Sequence, residues 1–257
     1  MLAGTCHFDD LHGSVATVMA AIQIGIPLAR IELLDAAQIE ACNAYSSLDL
    51  PVKPTLFLEY HGSADAVAEQ SLLFGEIAEM NGGSALELAS QVEDRSRLWK
   101  ARHNAYFAAK ALRPNASIWS TAVCVPIASL AESILETRKD IDDNGLLATI
   151  VGHVGDGNYH VLFVLDPEHP KDRVAATQIN DRMVKRALAV GGTCTGEHGI
   201  GIGKQECLIA ERGSDAVALM AMIKGTLDPL AILNPGKIFD AHEVLAKSGH
   251  PVIAAAD

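Results

Sequence analysis

The chain has 257 residues, enough for one large domain or two modest ones. Apolar residues make up 49% and charged residues 20%, which supplies a packed core and leaves too little charge for a disordered chain. Its 20 basic residues stand against 32 acidic ones, a net charge of −12, and no basic run exceeds a pair such as Arg138-Lys139, so nucleic acid and anionic membrane are poor partners for its surface.

In chain order, Thr5 to Phe8 reads as a strand and Leu11 to Ile24 as a helix closed by Gly25 and Pro27. Leu28 to Leu34 is a second apolar run, Ala36 to Tyr45 a short helix, Thr55 to Tyr60 a strand, and Ala64 to Met80 a helix stopped by Asn81-Gly82-Gly83. A polar helix, Val92 to Lys110, carries Arg95, Arg97, Lys100, Arg102 and His103 and is broken at Arg113-Pro114-Asn115. Trp119 to Pro126 is a strand that feeds a helix from Ile127 to Asp140. After the turn at Asn144-Gly145 come two apolar runs, then a long helix from Lys171 to Val190, a glycine-punctuated loop from Gly191 to Gly203, and a last helix from Asp215 to Leu227. Asp228-Pro229 and Asn234-Pro235-Gly236 end the pattern, and the apolar tail after His242 is either docked or frayed. No repeat of fixed period and no low-complexity linker is present. This alternation fits an α+β fold, an antiparallel sheet with helices on one face.

No Lys or Arg precedes Arg30, so the basic start of a secretory signal is missing, and no apolar stretch reaches the ~20 residues of a membrane span. Cys6, Cys42, Cys124, Cys194 and Cys207 are widely spaced, without a C-x-x-C pair, as expected for free thiols in a reducing compartment. A soluble, cytoplasmic chain is the expectation.

The richest segment is 148–165, ATIVGHVGDGNYHVLFVL. Asp156-Gly157 is a dipeptide favoured in two-residue hairpin loops. With that loop, His153 lies directly opposite His160, on the same face, with Cβ atoms ~4.5–5.5 Å apart. Two imidazoles at that distance can share a metal ion; the same pair also reads as ordinary strand histidines satisfied by backbone. Glu197, in the glycine-rich loop, could bring a carboxylate to them, giving a two-His-one-carboxylate set suited to Zn²⁺, Mn²⁺ or Fe²⁺. The alternative is a glycine-rich surface turn, and the residues alone leave both readings open.

That loop is not a phosphate-binding motif of the familiar kinds. Lys204 is followed by Gln205 rather than Ser or Thr, and Lys204 stands where G-x-G-x-x-G needs its last glycine. No G-x-S-x-G elbow occurs. Cys194, close to His198, reads as a buried strand cysteine rather than a thiol nucleophile.

Several segments together carry a resemblance: Trp99-Lys100-Ala101-Arg102-His103-Asn104, Val123-Cys124-Val125-Pro126, Gly152 to His160, Gly191 to Lys204, and Leu233-Asn234-Pro235-Gly236-Lys237. In this order, across essentially the whole chain, they are similar to the C-terminal, substrate- and metal-binding domain of FAD-linked D-lactate dehydrogenases (cytochrome), in the vanillyl-alcohol-oxidase type of flavoproteins. The resemblance implies oxidation of a small D-2-hydroxy acid, D-lactate first, with hydride passing to FAD and electrons then to a cytochrome or quinone. It implies a divalent metal, Zn or Mn, on His153, His160 and Glu197, His198 as the general base that also contacts substrate, and Arg102 on the substrate carboxylate. Asn158 orients substrate or supports the metal shell, and Asn234 approaches the flavin. Glycolate oxidase and D-2-hydroxyglutarate dehydrogenase are alternatives within the family, and a non-catalytic metal-binding or interaction module is an alternative outside it.

Two departures qualify the match. Where the lactate-type family has Asp, between residues matching Thr121 and Val123, this chain has Ala122. The glycine-rich pyrophosphate segment of the flavin domain occurs nowhere in the 257 residues, so FAD is expected to be held mainly by another domain. The expected fold is ferredoxin-like, with residues 1–227 as the substrate and metal domain and 228–257 as an extension returning toward the flavin domain. The second sheet face is expected to be open, to carry the site residues, and to favour a homodimer in isolation. The full-length enzyme is expected to be peripheral at the inner membrane.

Overall fold

A computed structural model describes residues 1–240 and Val244; the rest of the tail after His242 lies outside the described residues. The chain divides into two compact units, Met1–Gly192 and Thr193–Asp257. The boundary drawn from sequence at 227/228 concerns a family domain, a different question from compactness.

The first unit runs β1 (Leu2–His7), α1 (Leu11–Gln23), β2 (Leu28–Leu34), α2 (Ala36–Ser46), β3 (Thr55–Tyr60), α3 (Ala64–Met80), β4 (Glu87–Ala89), α4 (Val92–His103), α5 (Ala105–Ala111), β5 (Ser117–Cys124), α6 (Leu130–Asp143), β6 (Ala148–Gly152), β7 (Asn158–Leu165) and α7 (Pro170–Ala189). Short polar side chains start three of the helices by accepting from a free N–H of the first turn: Asp10 from Gly13, Asp35 from Gln38 and Ser63 from Ala66. The single polar helix expected over 92–110 is two helices that meet at Asn104, whose backbone leaves helical geometry at φ −83°, ψ 3°. β4 is a three-residue edge strand with too few residues to show a period.

All strands pair antiparallel in one sheet of order β4-β1-β3-β2-β6-β7-β5. Its first four strands have the ferredoxin-like winding, with β3 inserted between β1 and β2. The second half repeats the move, with β7 inserted between β5 and β6, so the halves meet at β2 and β6. This is a repeat of winding without a repeat of sequence.

One face of the sheet carries α1, α3, α6 and α7. The Tyr159 hydroxyl ties it to α6 through Ser133 at 2.7 Å and Thr137 at 3.0 Å. The α+β class and antiparallel sheet are as expected, but the opposite face is not wholly open. There α2 and α5 cover Leu34, Phe57, Val151, Leu162 and Val164 with Ile39, Cys42, Ala105, Ala108 and Ala109. Alanines on α5 allow a close approach, and Gln38 pins the layer by donating to the Ala105 carbonyl and accepting from Thr149. The second unit contains α8 (Gln205–Arg212), which was not anticipated, and α9 (Ser214–Leu227), packed on each other.

Candidate functional site

The β6–β7 connection differs from the expected two-residue hairpin. The ladder pairs Val151, not His153, with His160, and residues 153–157 form a longer loop with one 3-10 turn. The His153 carbonyl accepts from the Asp156 and Asn158 N–H groups at 3.3 Å, and Gly157 closes the turn at φ +80°. A Cβ on Gly157 would lie 2.0 Å from the Val125 carbonyl oxygen, so this position requires glycine for both reasons. The register differs from the expected one by two residues. Side chains alternate with period two, so an even slip keeps His153 and His160 on one face, where an odd slip would have separated them. Their rings lie 5.9 Å apart, nearly perpendicular.

Glu32 is the residue that sequence reasoning missed. It sits on β2 two residues before Leu34, hence on the same face, and is buried. Its Oε1 is 2.6 Å from His153 Nδ1, and its Oε2 accepts from Arg102 Nε at 3.1 Å and Nη2 at 2.9 Å. An ionised carboxylate only accepts, so the contact places a proton on Nδ1 of His153. The signal available in sequence was a second charged residue, after Arg30, in a mostly apolar strand. Arg102, on α4, spends its Nε edge on Glu32, while the fork formed by its two terminal nitrogens can still take a carboxylate. Arg30, Glu32, Trp99, Arg102, His103 and His153 line a cavity of about 350 Å³.

His160 is buried on β7, and Ala122 lies directly across the ladder from it on β5. The position where the sequence lacks the expected acid is thus one of the two direct cross-strand neighbours of a candidate ligand, Val151 being the other. Asn158, at the start of β7 on the same face, is buried opposite Cys124.

Glu197, His198 and Asn234 belong to the second unit. Glu197 and His198 are about half exposed, with His198 Nε2 3.7 Å from Glu197 Oε1. The loop before them is anchored by Glu211, which accepts from the Thr193 hydroxyl at 3.0 Å and the Cys194 N–H at 2.9 Å. Lys204 Nζ donates to the Cys194 carbonyl, so it is held on the loop itself. Burial, with the Glu211 carboxylate beside it, pushes the Cys194 thiol up to about 12, which removes it as a nucleophile at neutral pH. Asn234 sits at a turn with φ +47°, its carbonyl accepting from the Lys237 N–H.

The residues of the first unit fit a divalent metal: two imidazoles on one face, one in contact with a buried carboxylate. No glycine-rich turn joins a strand to a helix N-terminus among the described residues.

Residues 2–238 match the family model described as FAD linked oxidases, C-terminal domain. The chain belongs to that family. Among curated proteins, it is 46% identical over 240 residues to a probable mitochondrial D-lactate dehydrogenase of Danio rerio, covering 93% of this chain and 48% of that protein. It is 39% identical over 241 residues to the mitochondrial D-lactate dehydrogenase [cytochrome] of Arabidopsis thaliana, covering 94% and 42%. A glycolate oxidase subunit of Escherichia coli K12 is 28% identical, covering 90% and 46%. The chain therefore spans about half the length of these relatives or less. Among solved structures, 4-ethylphenol oxidase from Gulosibacter chungangensis superposes with TM-score 0.67 at 15% identity, covering 93% of this chain and 53% of that one, a likeness of fold. No helix among the described residues is long and apolar enough to cross a membrane. The expectation of a cytoplasmic location gains nothing from relatives whose names say mitochondrial.

Proposed function

We propose that this FAD-linked oxidase C-terminal domain is the substrate- and metal-binding part of an enzyme that oxidises a D-2-hydroxy acid, D-lactate before glycolate or D-2-hydroxyglutarate. The D-lactate dehydrogenases among its relatives, at 39–46% identity, support the substrate class. The observation that carries the reading is the pair His153 and His160 on one face beside Arg102, with Glu32 between Arg102 and His153.

In this reading the terminal fork of Arg102 takes the substrate carboxylate. Glu32 offsets one positive charge at Arg102, and the imidazoles of His153, on the β6–β7 loop, and His160, on β7, offer a ring nitrogen each to the metal. His153, His160 and Glu197 are the ligands, for Zn or Mn. A divalent ion bound there supplies Lewis acidity, lowering the pKa of the substrate hydroxyl. His198 accepts that proton as general base, and Asn158 orients substrate. FAD, held by the other half of the whole enzyme, is the hydride acceptor that the family's name implies; Asn234 lies in the segment assigned to approach it. A cytochrome as final acceptor follows the names of the relatives. A quinone acceptor and a homodimer are further expectations of the same reading.

The test is metal content of the purified chain beside His153→Ala, together with dye reduction by D-lactate when the flavin-binding half is supplied. Bound Zn or Mn in the wild type, its loss in the variant and D-lactate-dependent reduction are expected. Equal metal content in both proteins would sink the site.

A further inference from the structure

We infer that Glu32 is the positioning residue of this site: one buried carboxylate that sets the tautomer of His153 with one oxygen and holds Arg102 with the other. The inference rests on the metal-site reading above, and its first readout does not need the metal.

Glu32 occupies an interior strand position where an apolar side chain would otherwise be expected, and an unpaired carboxylate there would cost several kcal/mol. Arg102 alone could compensate its charge. The second contact, Oε1 to His153 Nδ1 at 2.6 Å, is unnecessary for that purpose, yet it decides which ring nitrogen bears the proton. His153 lies beyond the end of β6, at φ −80°, ψ 69°, so its backbone is outside the regular ladder and the Glu32 contact ties its ring to β2. His160 differs in being carried within β7. Glu32 also makes the two functions share one anchor: moving it displaces both the imidazole and the guanidinium.

Glutamine in this place has a forced orientation. Arg102 offers only donors, so Gln must turn its oxygen to Arg102 and its NH₂ to His153. His153 must then accept at Nδ1 and carry its proton at Nε2, the atom assigned to the metal. The isosteric substitution therefore inverts the tautomer, whereas aspartate, one methylene shorter, keeps an acceptor facing the ring. A merely structural role predicts the reverse ranking, with the isostere milder than the truncation.

The experiment uses the full chain labelled with ¹⁵N-histidine. Metal-free wild type is expected to show His153 protonated at Nδ1 above its titration range, Glu32→Gln to shift it to Nε2, and Glu32→Asp to retain Nδ1. A Zn²⁺ titration against a chelating dye is expected to show affinity falling about 10–100-fold for Glu32→Gln and less for Glu32→Asp. An Nδ1 proton in Glu32→Gln, or Zn²⁺ affinity within twofold of wild type there while His153→Ala loses binding, overturns the inference. If wild type itself takes up no Zn²⁺, the metal reading falls instead, and the tautomer comparison still decides whether Glu32 sets the ring. Should Glu32→Gln fail to fold, Glu32→Asp decides: loss of the Nδ1 tautomer there overturns the inference.

Discussion

The side chains assigned to chemistry come from two regions built in contrary ways. In the first unit, His160 lies inside a strand, and His153 and Arg102 are tied to a buried carboxylate. In the second, Glu197 and His198 stand half exposed on a glycine-punctuated loop. The first unit carries its groups on a strand and on a buried carboxylate, whereas the loop presents its two half exposed, and fixing each exposed side chain on binding costs about 0.5–1.5 kcal/mol. On the proposed reading, the first-unit ligands carry the larger share of metal affinity, and the loop carries the group that accepts the proton.

The largest effect tests that division directly. Replacing His160 with Ala is expected to lower Zn²⁺ affinity by well over 100-fold, more than the roughly 10–100-fold typical of losing an outer partner. Glu197→Ala is expected to lose less, because the exposed carboxylate gives back ordering entropy when removed. Calorimetric titration of both variants checks this, and a larger loss for Glu197→Ala would overturn the division between sheet and loop.

Glycines extend it to the backbone. Gly157→Ala meets both a positive φ and the Val125 carbonyl, and is expected to destabilise by about 2–4 kcal/mol in urea denaturation. Gly201 in the loop, at φ +55° with open space where a Cβ would stand, is expected to cost about 1 kcal/mol on the same change. Similar costs would mean that the β6–β7 loop is no more tightly specified than the glycine loop.

Much of the fold was legible because each long element has its own punctuation. Helix Ala64–Met80 and strands Leu28–Leu34 and Thr55–Tyr60 begin and end where sequence places them, bounded by caps, glycines or prolines. β4 escaped because three residues carry no period, and the break at Asn104 because Asn is tolerated within helices. The histidine pair was found with the wrong loop, since Asp-Gly suits both a two-residue turn and the end of a 3-10 turn; parity rescued the conclusion. Glu32 could not be found, because its meaning depends on Arg102 and His153, 70 and 121 residues away in sequence.

Arg102→Lys probes the substrate end of the ordered region. An ammonium can keep the charge but cannot offer one edge to Glu32 and a second, planar fork to a carboxylate. In the enzyme with its flavin half, KM for D-lactate is expected to rise about 10–100-fold, or ~1.4–2.7 kcal/mol, with kcat changing less. A change confined to kcat would place Arg102 away from the substrate carboxylate.

The smallest effect separates the regions by pH. Asp35, just after β2, caps α2 in full burial; desolvation raises its carboxyl to about 6, although Arg138 at 3.3 Å opposes the shift. A folded-state pKa above the unfolded one binds the proton more tightly in the native protein, so this group's contribution is fully present at low pH and is lost as pH rises through about 6. Glu211 runs the other way. Burial raises it, but donors from Cys194 and Thr193 outweigh burial and hold it below the ordinary carboxylate range. Its contribution is present above the unfolded value and is lost as pH falls. Each slope is at most ~1.4 kcal/mol per pH unit. Urea denaturation of wild type, Asp35→Asn and Glu211→Gln between about pH 4 and 8 is expected to give wild-type-minus-variant differences of opposite slope. Parallel curves would show that the two anchors titrate alike, and that the contrast between sheet and loop does not extend to their buried acids.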